Sequence, residues 1–198
     1  MSISDRMVVV TGANGALGSV VCALLRKEGA NVFEITREVA DLTDEGQVEK
    51  AYGAAARKGA IHGSVHLAGA WMPGGTTEAF EKMIAVNLRS AVLCCNAALK
   101  RMDPGGRIVN VASITAATLS GLSGSTAYNI AKSGVIALTK AIAEAGKVRC
   151  NCVAPAAMRT PKNPPAPGQV PVEDVAEAIL YLLSPEAPNG AVLTFPAR

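Results

Sequence analysis

The chain alternates short aliphatic runs with longer segments in which apolar residues recur at helical spacing. Met7–Thr11 is a β-branched run stopped by a glycine, which is typical of a buried parallel strand. A helix with an apolar face at every third or fourth position follows and ends at Gly29, and Asn31–Thr36 is a second aliphatic run. A strand, a glycine turn, a helix and a strand within about 30 residues predict a βαβ unit with a right-handed crossover.

The alternation continues along the chain. We expect a short third strand that ends at Asp41–Asp44, followed by a helix that Thr43 or Asp44 caps and that runs to Ala56. The further predicted strands are Ser64–Leu67, Arg107–Ala112, Val148–Ala154 and Ala191–Phe195, and the further predicted helices are Thr77–Met102, Ser125–Ala145 and Glu173–Leu183. This pattern predicts an α/β fold in one domain over residues 1–198, a Rossmann-type doubly wound parallel sheet of about seven strands with helices on both faces.

A proline cluster lies between Pro155 and Pro171. Proline-rich segments serve as stiff linkers between domains or as ordered loops within one domain. Because a single domain is expected, we predict a loop or lid over the strand ends, with a linker as the alternative.

Composition narrows the function classes. Hydrophobic residues make up 49% of the 198 residues and charged residues 18%, which suits a folded core. The net charge is only +3 and the 19 Lys and Arg are scattered, so no nucleic-acid partner is indicated. The chain has no run of 18 apolar residues and no apolar stretch in Met1–Arg6, so we expect a cytoplasmic protein without a membrane partner. The five cysteines and two histidines lack metal-site spacing, so no metal is expected.

Gly12, Gly15 and Gly18 follow the first strand and open the first helix. A dinucleotide needs such glycines for a tight turn and for close approach of the backbone to its pyrophosphate, which lies at the positive helix N-terminus. We therefore expect the cofactor to contact this turn, and the predicted contact residues are Gly12, Asn14, Gly15, Ala16, Leu17 and Gly18.

The end of the second strand selects between NAD and NADP, because a carboxylate there binds the ribose 2′-OH whereas an arginine accommodates a 2′-phosphate. Thr36 and Arg37 stand at this place, so NADP(H) is favoured over NAD(H). Glu34 complicates this interpretation, and Arg37 is alternatively a solvated strand-end residue. Asp41 and Leu42 are placed to meet the adenine.

Tyr128 and Lys132 are one helical turn apart in an alanine-rich stretch, which places both side chains on one helix face. A phenol has a reference pKa of about 10, so it needs a nearby cation to favour its phenolate at neutral pH. Lys132 is placed to be that cation.

With these motifs in order, the chain resembles the short-chain dehydrogenase/reductase family over essentially its whole length. The matching segments are Thr11–Gly18, Asp41-Leu42, His66–Gly69 where the family has Asn-Asn-Ala-Gly, Val86–Leu88, Arg107–Ser113, Tyr128–Lys132, Val148–Pro155 and Thr160. The resemblance implies an NAD(P)(H)-dependent oxidoreductase that transfers hydride between the nicotinamide and a small carbonyl or alcohol substrate.

The resemblance also implies a tetrad of Asn87, Ser113, Tyr128 and Lys132. Tyr128 would pass a proton to or from the substrate oxygen, and Ser113 would hydrogen-bond that oxygen. Lys132 would hold the nicotinamide ribose and depress the tyrosine pKa, while Asn87 would anchor a water that connects Lys132 to solvent. The further implied cofactor contacts, beside those of Asn87, Tyr128 and Lys132, are Ala68, Gly69, Pro155 and Thr160.

Three departures from the family pattern stand out. The turn reads Thr-Gly-x-x-Gly-x-x-Gly, the form of the extended and dihydropteridine reductase-like members. Ser113 lies fifteen residues before Tyr128, two more than usual, with the extra residues in Ser120–Ser125 and with Thr115 as the fallback for Ser113. The chain is also short after Thr160, which suggests an open site or one completed by a neighbouring subunit.

Two alternatives to the carbonyl or alcohol oxidoreductase remain. One is a dihydropteridine reductase-like enzyme, and the other is a non-catalytic NADP-binding sensor or scaffold. The family also implies a homodimer or homotetramer that associates through the two long helices, Thr77–Met102 and Ser125–Ala145.

Overall fold

The computed structural model describes residues 3–73, 76–160 and 165–197. Its main sheet has six parallel strands, namely β1 Met7–Thr11, β2 Asn31–Ile35, β3 Ile61–His66, β4 Arg107–Val111, β5 Arg149–Pro155 and β8 Val192–Phe195. A separate parallel pair joins β6 Met158–Arg159 to β7 Val170–Pro171. The order in the main sheet is β2-β1-β3-β4-β5-β8, so the chain reverses direction across the sheet beside β1. Ligands of open α/β sheets bind at the carboxyl ends of the strands at such a point.

The helices are α1 Ala16–Lys27, α2 Glu45–Lys58, α3 Thr77–Met83, α4 Ser90–Leu99, α5 Ile114–Thr118, α6 Thr126–Ala145 and α7 Val172–Leu182. They cover both faces of the sheet, because alternate side chains of each strand point to opposite faces. Val8 and Val10 pack with α1 and α7, whereas Val9 packs with α2 and α4. All three valines are completely buried, which explains why β1 reads as a continuous aliphatic run. The Rossmann-type doubly wound fold predicted from the sequence is confirmed.

A π-helical segment, Ile84–Arg89, joins α3 to α4 without a break. The sequence predicts one helix over Thr77–Met102, and the continuous helix spans Thr77–Leu99 with this wider turn inside it. By length and composition this helix is apolar enough to cross a membrane, but core helices pass the same test. Its residues Cys94 and Cys95 are buried against the sheet.

The predicted short strand that ends at Asp41–Asp44 is wrong. This segment consists of turns, because its polar groups are used locally. The Asp41 carboxylate accepts hydrogen bonds from the backbone and hydroxyl of Thr43, and the Asp41 N–H donates to Gln47. Asp44 caps α2 by accepting from the Gln47 N–H, so the alternative cap Thr43 is not used in this role.

In the proline-rich segment after β5, the described residues on either side of 161–164 are joined by the parallel pair of β6 and β7. Val170 is buried in the same core cluster as α7. The described part of the segment is therefore attached to the main body, as a loop is and an extended linker is not. Pro161 and Pro164 of the cluster lie outside the described residues.

Candidate active site

The glycine turn between β1 and α1 leaves no room for a side chain at Gly12 or Gly18. Gly12 has a φ of +65°, and a Cβ on it would lie 2.9 Å from the Ala68 backbone nitrogen. A Cβ on Gly18 would lie 2.2 Å from the Gly12 carbonyl oxygen, so α1 packs closely on the turn. Gly15 is the N-cap residue of α1. Only glycine fits at Gly12 and Gly18 without moving the backbone.

The same turn fits the phosphates of a dinucleotide. Within the described chain, no side chain caps the N-terminus of α1, and its first turn carries no acidic residue. The helix dipole and the open N–H groups there favour an anion. Asn14 and Gly15 are exposed, whereas the Leu17 side chain is buried in the core, so Leu17 offers the cofactor only its backbone.

Two carboxylates lie near the end of β2, and they have different partners in the structure. Glu34 forms an ion pair with Arg26 of α1 at 2.5 Å, so its charge is already compensated. Glu38 follows Arg37 in the loop, where a hydrogen bond from Thr36 holds the pKa of its carboxyl below the usual value. Arg37 is exposed. Two groups of opposite charge therefore stand beside Thr36, and the sequence interpretation considered only Arg37 and Glu34.

Tyr128 and Lys132 lie on the first turns of α6, and the Lys132 ammonium is 5.8 Å from the centre of the Tyr128 ring. Lys132 is only 6% exposed and donates a hydrogen bond of 2.8 Å to the Val111 carbonyl at the end of β4. Burial lowers the pKa of Lys132 to about 8. Burial also raises the pKa of Tyr128, against a smaller lowering by a hydrogen bond with Ser113. In this state burial, rather than Lys132, governs the phenol.

Ser113 follows the end of β4 and lies beside Tyr128 despite the longer spacing in sequence. Thr115, the fallback for Ser113, does not replace it but extends it, since the two hydroxyl oxygens are 2.9 Å apart. Thr115 donates to Asn129 Oδ1 at 2.6 Å, and Asn129 Nδ2 donates to the Leu122 carbonyl at 3.2 Å. Asn129 was not among the predicted site residues. Its position directly after Tyr128 on α6 is the feature of the sequence that indicates it.

Asn87 projects from the π-helical segment and is 1% exposed. Its amide donates to the carbonyls of Ala70 and Met83 and accepts from the Ala70 N–H. A Cβ on Gly69 would lie 2.7 Å from Asn87 Oδ1 and 3.4 Å from Lys132 Nζ. Gly69 therefore allows Asn87 and Lys132 to approach each other across the end of β3.

A small cavity of about 10 Å³ opens at the carboxyl ends of β1, β3 and β4. Its walls include the predicted site residues Leu42, Ala68, Asn87 and Lys132. Asp41 is exposed and engaged with Thr43. Pro155 is buried at the end of β5, and Thr160 is half-buried after β6.

Comparison with known proteins agrees with this arrangement. The family model described as enoyl-(acyl carrier protein) reductase matches residues 4–193. The chain belongs to the short-chain dehydrogenase/reductase family. Members of this family are oxidoreductases that bind NAD or NADP.

Individual relatives cover the chain to different extents. Short-chain dehydrogenase/reductase ABA4 of Pyricularia oryzae is 35% identical over 81% of this chain, which spans only 57% of that relative. The 2-(R)-hydroxypropyl-CoM dehydrogenase of Xanthobacter autotrophicus is 30% identical, with 96% of both chains covered. A short-chain dehydrogenase/reductase structure from Mycobacterium ulcerans superimposes with a TM-score of 0.87 at 27% identity, covering 98% of this chain and 89% of that one.

At the end of β3, His66 stands where the family pattern given in the sequence analysis has an asparagine. His66 Nδ1 is 2.8 Å from Asn110 Oδ1, and Nε2 is 2.8 Å from Ser64 Oγ and 3.1 Å from the Tyr52 hydroxyl. Asn110 Nδ2 donates to Thr139 at 3.0 Å. We refer to Tyr52, Ser64, His66, Asn110 and Thr139 as the His66 network, and to Asn87, Ser113, Tyr128 and Lys132 as the Tyr128 cluster.

Proposed function

We propose that this short-chain dehydrogenase/reductase transfers hydride between a nicotinamide cofactor and a small carbonyl or alcohol substrate, with Tyr128 as the acid-base residue. The observation that supports the proposal is the position of Ser113 and Lys132 around Tyr128, at the same sheet edge as the glycine turn. Residues 1–198 would act as one cofactor-binding domain, and the cytoplasmic location stays a prediction.

The cofactor supplies the hydride, while the protein holds the reactants and moves one proton. Tyr128 gives its phenolic proton to the carbonyl oxygen during reduction and takes it back during oxidation. The raised pKa of Tyr128 suits the first direction, because the phenol enters the reaction protonated. Ser113 stabilises the charge that develops on the substrate oxygen.

Lys132 supports this proton transfer from its position one helical turn after Tyr128. With a pKa of about 8 its ammonium is charged at neutral pH and close to releasing a proton. Its hydrogen bond to Val111 fixes the side chain at the sheet edge, where its remaining donors serve the nicotinamide ribose. Asn87 and Gly69 border the same ammonium, which is where a connecting water would lie.

Replacing Tyr128 with phenylalanine tests the proposal. We expect turnover to fall by roughly 10²–10⁴-fold, because a positioned acid-base group contributes about this much. Cofactor affinity, measured by nucleotide fluorescence, should stay within about twofold, since the lost hydroxyl is one contact among many. Tyr181→Phe is the matched control, because Tyr181 is 49% exposed on α7, far in sequence from the cluster. Unchanged turnover in Tyr128→Phe would contradict the proposal.

The substrate screen separates the alternatives. Ketones, aldehydes, alcohols and quinonoid dihydropterin are assayed with the preferred cofactor. Turnover of quinonoid dihydropterin alone would favour the dihydropteridine reductase-like enzyme. Cofactor binding without hydride transfer to any substrate would favour the sensor or scaffold.

We further propose that NADP(H) is preferred to NAD(H). The support is that Arg26 neutralises Glu34, while Arg37 remains exposed beside Thr36. Arg37→Gln should weaken NADPH binding about tenfold and change NADH binding little, since an arginine contact to phosphate is charge-assisted. Arg57→Gln, an exposed arginine at the end of α2, is the control. Equal losses for both cofactors would contradict a 2′-phosphate contact.

A homodimer or homotetramer through the two long helices is part of the same proposal. Phe80 on α3 and Ile130 on α6 are 42% and 47% exposed, which supports an apolar contact there. Sedimentation velocity of the protein and of Ile130→Glu tests it. A parent protein that sediments as a monomer would contradict this part.

A further inference from the structure

Two segments of this chain read Asn-Gly-Ala, at residues 14–16 and 189–191. Asparagine followed by glycine is prone to deamidation, because glycine has no side chain to hinder attack of its backbone nitrogen on the asparagine amide. Asn14 lies in the turn between β1 and α1, and Asn189 lies in the loop between α7 and β8. Since the reacting sequence is the same, a difference in reactivity between the two sites must come from the fold.

The attacking backbone nitrogens are held in the same way at the two sites. Both asparagines are exposed to solvent. The Gly15 N–H donates to the Gly12 carbonyl at 3.0 Å. The Gly190 N–H donates to the Cys150 carbonyl at 2.9 Å. The two nitrogens therefore have equivalent bonds, but Gly15 is exposed and Gly190 is buried.

The asparagine side chains differ in their hydrogen bonds. Asn189 Oδ1 accepts from the Cys150 N–H at 3.0 Å, and its Nδ2 donates to the Ala143 carbonyl at 2.9 Å. The Asn14 side chain has no hydrogen-bond partner among the residues that the structure describes. The Asn14 amide can therefore rotate toward the Gly15 nitrogen, whereas the Asn189 amide must first break two hydrogen bonds.

We propose that Asn14 is a site of spontaneous deamidation, and that its reaction turns the dinucleotide-binding turn into one that rejects the cofactor. The Gly15 nitrogen forms a bond to Asn14 Cγ while the Cγ–Nδ2 bond breaks, and Nδ2 leaves as ammonia with the proton of the Gly15 N–H. Water then opens the cyclic imide at either of its carbonyls, which gives aspartate or isoaspartate. The reaction transfers no electrons, and water is its co-reactant.

The aspartate product places a carboxylate directly before Gly15, the N-cap residue of α1. The first turn of this helix carries no acidic residue, so the N–H groups and the helix dipole are open to the phosphates. A carboxylate is ionised at neutral pH and is attracted to the same helix end. It repels the pyrophosphate and competes with it for the N–H groups. This consequence for the cofactor rests on the proposed function.

The isoaspartate product lengthens the backbone of the turn by a methylene group. The turn has no space for this change, because a Cβ on Gly12 would lie 2.9 Å from the Ala68 nitrogen and a Cβ on Gly18 would lie 2.2 Å from the Gly12 carbonyl oxygen. Asn14 lies between these two glycines in the chain. The longer backbone therefore shifts the packed turn and the N–H groups that face the phosphates.

Bound cofactor protects Asn14 from this reaction. A dinucleotide held at the turn covers the exposed Asn14 and Gly15 and restrains the backbone between them. Molecules that carry cofactor therefore keep the amide, whereas molecules without cofactor lose the capacity to bind it. Asn14 thus links the working life of the protein to cofactor occupancy.

Peptide mass spectrometry follows both sites in one sample of folded protein, kept without cofactor in warm, mildly alkaline buffer. Deamidation is detected as the replacement of an amide NH₂ by OH, and an isoaspartyl methyltransferase labels the isoaspartate product. Asn14 should react at least about tenfold faster than Asn189, because two side-chain hydrogen bonds hold only Asn189. In urea the two rates should become nearly equal, since the fold no longer distinguishes the sites.

Two variants and one protection experiment test the consequence for the cofactor. Asn14→Asp supplies the aspartate product directly and should weaken the binding of NADPH and NADH roughly tenfold, measured by nucleotide fluorescence. Asn96→Asp adds the same charge at an exposed position of α4 and should leave both affinities unchanged. Saturating cofactor should slow the loss of Asn14 and leave the rate at Asn189 as it was. Thermal unfolding verifies that both variants are folded.

Faster loss of Asn14 than of Asn189 in the folded protein, together with weak cofactor binding by Asn14→Asp, supports the proposal. Equal rates at the two sites or an intact Asn14 would overturn it, and so would normal cofactor affinity in Asn14→Asp. A parent protein that binds neither nucleotide would contradict the proposed function and with it the consequence for the cofactor. Mass alone decides whether Asn14 deamidates, so the two failures can be told apart.

Discussion

The His66 network and the Tyr128 cluster are both polar, both largely buried and both near the carboxyl ends of the central strands, yet they differ in how their hydrogen bonds close. In the His66 network most of the hydrogen bonds have a fixed direction. Thr139 donates to the Val135 carbonyl and so accepts from Asn110. Asn110 Oδ1 then accepts from His66 Nδ1, and His66 Nε2 contacts the hydroxyls of Ser64 and Tyr52, which also share a hydrogen bond of 2.8 Å with each other.

The imidazole of His66 is neutral at neutral pH. Burial lowers the pKa of His66 to about 4, against a smaller raising by the bond with Asn110. The Tyr128 cluster is different, because Lys132 uses one of its three donors on Val111 and, in the described part of the chain, Ser113 is the one group whose hydrogen bond acts on the pKa of Tyr128. Both groups line the same cavity, so the comparison teaches that spare hydrogen-bonding capacity, rather than buried polarity, distinguishes the proposed chemical site from the structural one.

Removing the Lys132 ammonium should produce the largest effect on turnover. Lys132→Met is expected to lower turnover by roughly 10³-fold, since it removes a preorganised donor to the cofactor. Stability should also change with pH. A lysine whose pKa is lowered to about 8 in the folded protein costs stability below that pH, and the cost disappears as pH rises to the unfolded value of 10.5.

Urea unfolding checks this second part. The difference in the free energy of unfolding between parent and Lys132→Met should move in favour of the parent by about 3 kcal/mol from pH 8 to pH 10.5, at about 1.4 kcal/mol per pKa unit. Tyr128→Phe keeps Lys132 and should keep this slope. A flat difference would show that Lys132 is not desolvated.

Substitutions in the His66 network should change the stability of the protein rather than its turnover. His66 has a folded pKa of about 4 and an unfolded value of 6.5, so the unfolded state binds more protons between them. The contribution of neutral His66 to the free energy of unfolding is present above pH 6.5. It is lost as pH falls toward 4, by about 3 kcal/mol in total.

His66→Asn, the family residue, should remove this acid dependence in urea unfolding at pH 7 and pH 4. Tyr52→Phe leaves the imidazole in place and should retain it. Turnover at pH 7 should change less than in Lys132→Met. A His66→Asn variant with normal acid sensitivity would mean that other groups cause it.

Gly69 tests how tightly the Tyr128 cluster is assembled. Gly69→Ala places a methyl group 2.7 Å from Asn87 Oδ1, so Asn87 must move although three hydrogen bonds hold it. Turnover is expected to fall by about 10²-fold, as small displacements in active sites do. Gly124→Ala is the control, since no atom lies within 4 Å of its added methyl. Equal activity of the two variants would mean that Asn87 has no fixed role.

The smallest effect is expected when one hydroxyl of the His66 network is removed. Tyr52→Phe should cost about 1 kcal/mol in the free energy of unfolding, because Ser64 can still donate to His66. Calorimetry at neutral pH measures this loss. A loss of several kcal/mol would indicate that Tyr52, not Ser64, is the donor that His66 needs.

Much of the fold was readable from the sequence because local patterns decide it. The aliphatic β1, the glycine turn and the amphipathic helices each follow from side-chain periodicity or backbone freedom. The false strand before Asp44 arose because a run of mixed polarity does not reveal that Asp41 bonds its own loop.

The site was readable only in part. Spacing brought Tyr128 and Lys132 together, since one helix carries both. The bonds from Thr115 to Asn129 and from His66 to Asn110 join residues on different elements, and their geometry depends on packing that no local pattern encodes. The ion pair of Glu34 with Arg26 was hidden for the same reason.

The π-helical turn at Ile84–Arg89 has a consequence for how this helix tolerates change. A π turn equals one residue inserted into an α-helix, and each inserted residue rotates the C-terminal remainder of the helix by about 100°. The additional residue sets the angle around the helix axis between two groups of side chains. Asn87 faces the proposed site, and Cys94 and Cys95 face the sheet. Deleting one residue within the turn would restore ordinary helix geometry and put the two faces out of phase. The helix can therefore accept substitutions more readily than changes in length.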